Sequence, residues 1–287
     1  EGSIMWAEFK HTLRRMRWQI CGWPFGIILY VLLMVFFYPN MAEMGEMLDQ
    51  YLAMFPEAML AFFKNISAIN TPLGYLDVYF FSYMHLIIGI LAISGGANLL
   101  VGDEEKGLLD LVLAQPVSRT GLFCGRLLAL FTALAIILLT GWLSWAIPAE
   151  RVSLNLTWAQ LLRPFISLFA VLVLFAALAL FFSLLLPAVR LANMLTGALL
   201  VGNYLLMGLS NLNDKLQQVL KYTPLNYYQG GAAVEGLNGS WLFGLLAAAV
   251  LITGVAWVLF LRRDIRVGGE RSWTLSALRL PSRAKSS

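Results

Sequence analysis

Six runs of about twenty or more apolar residues recur along this 287-residue chain, at about 19–38, 79–101, 122–147, 161–186, 190–210 and 240–261. A helix of about 20 residues crosses the ~30 Å hydrocarbon core of a bilayer, and a longer one crosses it tilted. In lipid each backbone N–H and C=O has to be satisfied within its own segment, so runs of this length read as α-helices. Hydrophobic residues make up 60% of the chain and charged ones 13%, far from the roughly even mixture of a soluble domain. The expected fold class is an all-α membrane protein with six transmembrane helices within 18–261, an N-terminal amphipathic interfacial helix over 1–17, and a basic tail over 262–287.

The basic residues orient it. With the N-terminus in the cytoplasm, 15 of the 20 Lys and Arg fall on the cytoplasmic side, and only Lys64, Arg151, Arg163, Lys215 and Lys221 fall outside. By the positive-inside rule both termini are cytoplasmic in a multi-pass protein of the cell membrane. Trp142, Trp145, Trp158 and Trp241 are expected at the outer interface and Trp18, Trp23 and Trp257 at the inner one, where amphipathic rings settle. Residues 5–17 set Trp6, Phe9, Leu13 and Met16 against Lys10, Arg14, Arg15 and Arg17, the pattern of a basic helix lying on the membrane surface and leading straight into the first span. The formal charge of +4 is spread between spans rather than gathered on a soluble face with aromatic platforms, which argues against a nucleic-acid partner. Cys21 and Cys124 both sit near cytoplasmic helix ends, so no disulfide framework is expected.

Little in the chain suits chemistry of its own. There is no G-x-x-x-x-G-K-[ST] loop to cradle ATP and no His-Glu-x-x-His or Cys-x-x-Cys spacing for a metal. His85 and Ser94 share one helix but point to opposite faces, roughly 13 Å apart along its axis, so they make no nucleophile and base. No apolar run contains a carboxylate, which argues against a proton or cation relay. Two stripes stand out: Ser82, His85, Gly89, Ala92 and Gly96 on the second span, and Asn193, Gly197, Val201, Tyr204 and Gly208 on the fifth. Each falls within a sector of about 80°. Small residues let helices approach closely, and the few polar groups find partners there rather than in lipid.

The segment Gly102 to Arg126 is a charged break between two spans. Asp103, Glu104, Glu105 and Lys106 are too polar for hydrocarbon and are expected in water. Leu108, Leu109, Leu111, Val112 and Leu113 form a short apolar patch that Pro116 ends. Ser118 is placed to cap the next helix, and Arg119 and Arg126 frame its start.

The string Glu105, Gly107, Leu108, Leu111, Leu113, Pro116, Val117, Ser118, Arg119 resembles the loop after the second membrane helix of type-2 ATP-binding cassette (ABC) exporter permeases. Leu108 departs from the polar residue usual there. In that family the loop carries a cytoplasmic coupling helix that docks into an ATPase, which implies coupling roles for Glu104, Glu105, Gly107, Leu108, Leu111, Leu113, Pro116 and Arg119. The resemblance extends to residues 223–239, where Pro224, Tyr227, Tyr228 and Gly236 resemble an outer re-entrant segment. It further implies that Ser82, His85, Gly89, Gly96, Asn193, Gly197, Tyr204 and Gly208 line a subunit interface and substrate path. Implied partners are a second permease subunit, as a homodimer, and two copies of a separate ATPase, with ATP and Mg bound there and no cofactor on this chain. A sparsely polar path suits an amphipathic or hydrophobic substrate. Competing readings are an intramembrane hydrolase acting through Ser82 or Ser94, or a non-transporting anchor or sensor. The Met-rich outer loop, about 39–78, reads as a helix resting on lipid or a partner subunit, or as a flap over an exiting substrate.

Overall fold

A computed structural model describes residues 2–43, 50, 52, 54–56, 60, 69, 71–107, 118–152 and 154–262. These residues are helical or loop, with no strand among them. Helix α1 (Gly2–Arg15) ends with Arg14 and Arg15 in its last turn, where cations oppose the helix dipole, and breaks at Met16 before α2 (Arg17–Glu43). The short α3 (Pro72–Leu76), a π-helical turn (Asp77–Phe81) and α4 (Ser82–Asn98) run on as one rod. Thr71 starts it by accepting the Gly74 N–H at 3.1 Å, with Pro72 at the first position, where a missing N–H costs nothing.

After α5 (Val101–Glu105) the chain returns as α6 (Arg119–Ala146). Ser118 caps α6 through the Gly121 N–H at 3.1 Å, as the sequence leads one to expect. Helix α7 (Trp158–Leu185) opens with a reciprocal capping box between Thr157 and Gln160. Then follow α8 (Val189–Ser210), α9 (Asp214–Leu220), two 3-10 turns (Pro224–Tyr227 and Gly230–Val234) and α10 (Gly239–Arg262). Six segments are long and apolar enough to cross a bilayer: Arg17–Asn40, Pro72–Asn98, Arg119–Ala146, Trp158–Leu185, Val189–Ser210 and Gly239–Arg262. They agree with the six apolar runs, the largest shift being the second, which begins seven residues earlier than 79.

Helix α7 is the axis of the bundle, buried along most of its length against α4 on one side and α10 on another. The contact with α4 is a backbone contact: a Cβ at Gly96 would collide with the Ala176 carbonyl oxygen. Helix α6 carries α1 and α2 on its outer side. Its Gly125 lies under α1, where a Cβ would stand 2.6 Å from the Met5 carbonyl oxygen. Helix α1 is therefore packed on protein on one side, with Thr12 and Met16 buried, while Trp6 of its apolar set stays half exposed. Trp145, expected at an interface, is fully buried beside Phe80, ring centroids 6.0 Å apart.

Candidate functional site

The second spanning rod carries a polar joint at each end. At the end nearest α1, Asp103 is 6% exposed and Arg126 of α6 is 2% exposed. Arg126 Nη1 lies 2.7 Å from Asp103 Oδ2 and donates to the Leu99 carbonyl at 2.9 Å. Arg15 Nη1 reaches both Asp103 oxygens, at 2.8 and 3.0 Å. Glu8 Oε2 completes the set, 3.5 Å from Arg126 Nε, near enough for an ion pair but not aligned as a hydrogen bond. Two guanidinium and two carboxylate groups thus balance in charge around the buried Arg126–Asp103 pair, with Arg15 at the edge of the set still partly in the open.

This arrangement corrects one expectation. Asp103 is not held in water but is buried and paired with Arg15 and Arg126. Glu105 accepts the Val189 N–H at 2.8 Å, capping α8, which has no side-chain cap of its own. Arg119 donates to the Leu261 carbonyl at 3.2 Å, at the negative end of α10. Gly107 has φ +67, a left-handed turn that glycine takes without Cβ strain, and it ends the acidic stretch. Leu108, Leu111, Leu113 and Pro116 lie outside the described residues.

The other joint is the π turn. Tyr30 and Tyr83 hydroxyls both reach the Tyr79 carbonyl and each other, and the Tyr228 hydroxyl donates to the Phe81 carbonyl at 2.9 Å. A π turn displaces carbonyls from the regular i→i+4 pattern and leaves them open to such partners. Asp77, 4% exposed, accepts the Gly231 N–H at 2.7 Å. The inference that no span holds a carboxylate is corrected here, because the rod begins at Pro72 and encloses Asp77. Gly230 has φ +52, and a Cβ on Gly231 would stand 2.5 Å from that of Asp77, so two glycines allow this approach.

The segment after α9 is closed by further bonds. Gln229 accepts the Asn238 N–H at 2.6 Å and donates its own backbone N–H to Ser167 at 3.1 Å. Arg163 donates to the Val234 carbonyl at 3.0 Å. Pro224 opens the first 3-10 turn, the Tyr227 hydroxyl donates to the Lys221 carbonyl at 2.7 Å, and Gly236 lies exposed. The segment is two short turns fastened to α4 and α7, with Leu225, Tyr228, Ala233 and Val234 buried.

The two stripes meet each other within one chain. His85 is fully buried with Tyr204 and Tyr228 beside its ring, at 5.6 and 5.0 Å between centroids, and Ser82 is buried next to this group. A Cβ on Gly89 would stand 2.6 Å from Leu200 of α8. Gly208 is buried, whereas Gly197 has open space around it, and Asn193 keeps a side-chain oxygen without a hydrogen bond. Ser94 gives its hydroxyl to the Leu91 carbonyl of its own helix, so it is not presented to a base. Among the described residues no three His, Cys, Asp or Glu side chains gather as a metal site.

Sequence reading missed Asp77, Asp103 and Arg126 as a set. Their signal is weak: single charges close to the ends of apolar runs. What the arrangement can do is mechanical, joining α1, α4, α6 and α8 at one end and α2, α4, α7 and the 224–234 turns at the other. A search of the curated proteins finds no significant match. Residues 3–265, nearly the whole chain, match the family described as ABC-2 family transporter protein, and this match, together with six bilayer-length helices, shows that the chain belongs to the ABC-2 transporter family as a membrane-spanning transport subunit.

Proposed function

We propose that this chain is the permease subunit of an ATP-driven exporter, working as a homodimer on two copies of a separate ATPase that binds ATP and Mg. Both termini are cytoplasmic in this reading, and the cargo is an amphipathic or hydrophobic molecule leaving the cytoplasm. The observation that carries the proposal is the Asp103 network. The 108–117 segment lies between α5 and α6, and Asp103 and Arg126, just before and after it, are bound to each other and to Arg15 of α1. A displacement of that segment by a docked ATPase is therefore passed at once to α1, α4 and α6, and through Glu105 to α8. The subunit interface falls on the open side of α8 around Gly197, since Gly89 and Gly96 are engaged within the chain.

The test is co-purification of the ATPase and substrate-stimulated ATP hydrolysis in reconstituted membranes. Removing one leucine contact from the docked segment costs about 1.5–3 kcal/mol, a loss of one to two powers of ten in ATPase affinity. Leu111→Asp, which buries an unpaired carboxylate, is expected to abolish recruitment. Normal recruitment and normal stimulation in that variant would remove the coupling role from the segment.

A further inference from the structure

The side of α1 turned away from α6 carries an ordered ridge. Trp6, Lys10 and Arg14 recur every four residues, so they line one row of the helix, and Trp18 follows at the same interval across the break at Met16. Lys10 Nζ stands 5.2 Å from the centroid of the Trp6 ring, and the Arg17 guanidinium 5.7 Å from that of Trp18. Both indoles are largely in the open, Trp6 at 50% and Trp18 at 77% exposure. The ridge is distinct from the charges of the Asp103 network. Glu8 and Arg15 are engaged there, whereas Lys10, Arg14 and Arg17 have no carboxylate within ion-pair distance among the described residues.

Location decides what such a surface meets. Trp18 is the second residue of a helix that crosses the bilayer from Arg17, so the ridge lies at headgroup depth. Tryptophan favours that depth, and cations there are drawn to anionic lipid by about 1 kcal/mol each, a factor of about five per charge. A cation held over an indole keeps its outer N–H groups free for phosphate oxygens.

We propose that the Trp6, Lys10, Arg14, Arg17 and Trp18 ridge is a binding surface for anionic phospholipid headgroups in the leaflet where α2 begins. The lipid phosphates supply the negative charge that these three cations lack among the described residues. Because α1 is fastened to Asp103 and Arg126, lipid bound to the ridge also fixes where α1 sits over α6. The inference stands whether or not the chain exports anything.

The test is native mass spectrometry of the purified full chain equilibrated with equal amounts of phosphatidylglycerol and phosphatidylcholine. The wild type is expected to retain phosphatidylglycerol in preference, with a ratio that falls as salt is raised to about 0.5 M, since Debye screening then shortens to a few ångströms. In the triple variant Lys10→Gln, Arg14→Gln, Arg17→Gln the ratio is expected to fall roughly tenfold or more. It should stay unchanged in Lys215→Gln with Lys221→Gln, whose exposed charges lie around α9, remote from α1 in sequence. Equal retention of the two lipids by the wild type, salt-insensitive retention, or an equal fall in both variants would overturn the proposal. So would a triple variant that keeps its phosphatidylglycerol but loses a co-purifying ATPase, which would make the ridge a protein-docking surface.

Discussion

The Tyr228 hydroxyl donates to the Phe81 carbonyl at 2.9 Å, joining residues 147 apart in the chain at the last residue of the π turn. Both groups are buried, so neither has water to turn to. Tyr228→Phe should keep the ring packed beside His85 and remove only this bond, costing about 1 kcal/mol. The expected result is normal membrane insertion with a lower unfolding temperature in detergent. A matching loss in Tyr30→Phe, additive in the double variant, would show the two tyrosines holding the turn independently.

Removing the carboxylate that two guanidinium groups share should be far more damaging. Asp103→Asn leaves Arg126, 2% exposed, with only the Glu8 carboxylate at 3.5 Å as counter-charge, and takes from Arg15 the carboxylate it binds. Breaking one partner of a buried ion pair costs about 3–5 kcal/mol, so little folded protein should survive extraction and size-exclusion chromatography. Glu8→Gln should be milder, because its carboxylate is 3.5 Å from Arg126 and partly exposed. Pairing Asp103→Leu with Arg126→Met should recover much of the loss, since the mutual desolvation is then gone.

Glycines of the two stripes should separate into two behaviours. Gly96→Ala drives a methyl into the Ala176 carbonyl and should loosen α4 from α7, lowering thermal stability in the isolated subunit. At Gly197 there is nothing within 4 Å, so Gly197→Leu should leave the subunit's stability within about 0.5 kcal/mol of the parent. If α8 meets a second copy, the same substitution should weaken the dimer seen by cross-linking at that position.

Orientation is open to a direct check. Single cysteines at Lys106 and Ser240, both exposed, lie at opposite ends of the bundle. In intact cells an impermeant maleimide is expected to label position 240 and to spare position 106 until the membrane is opened. The reverse pattern would invert the topology.

Much of the architecture is written locally. A run of about twenty apolar residues satisfies its own backbone within itself, so all six spanning helices can be placed from short stretches alone. The Ser118 cap is legible for the same reason, since its acceptor and donor are three residues apart. Periodicity also places Ser82, His85, Gly89 and Gly96 on one side of a helix. It does not say which neighbour that side meets, and Gly96 and Gly197 carry the same local signal although one abuts a backbone and the other faces open space.

The polar joints were legible only as scattered charges. Asp103 lies 88 residues from Arg15, and Asp77 lies 154 from Gly231. A charge near the end of an apolar run reads as solvent-facing unless its counter-ion is known, and that counter-ion arrives only when another helix packs beside it. Sequence alone determined which segments cross the bilayer, because that depends on backbone hydrogen bonding within each segment. The tertiary structure decided which charges are buried and which glycines are filled, because burial is a property of the neighbours that packing brings.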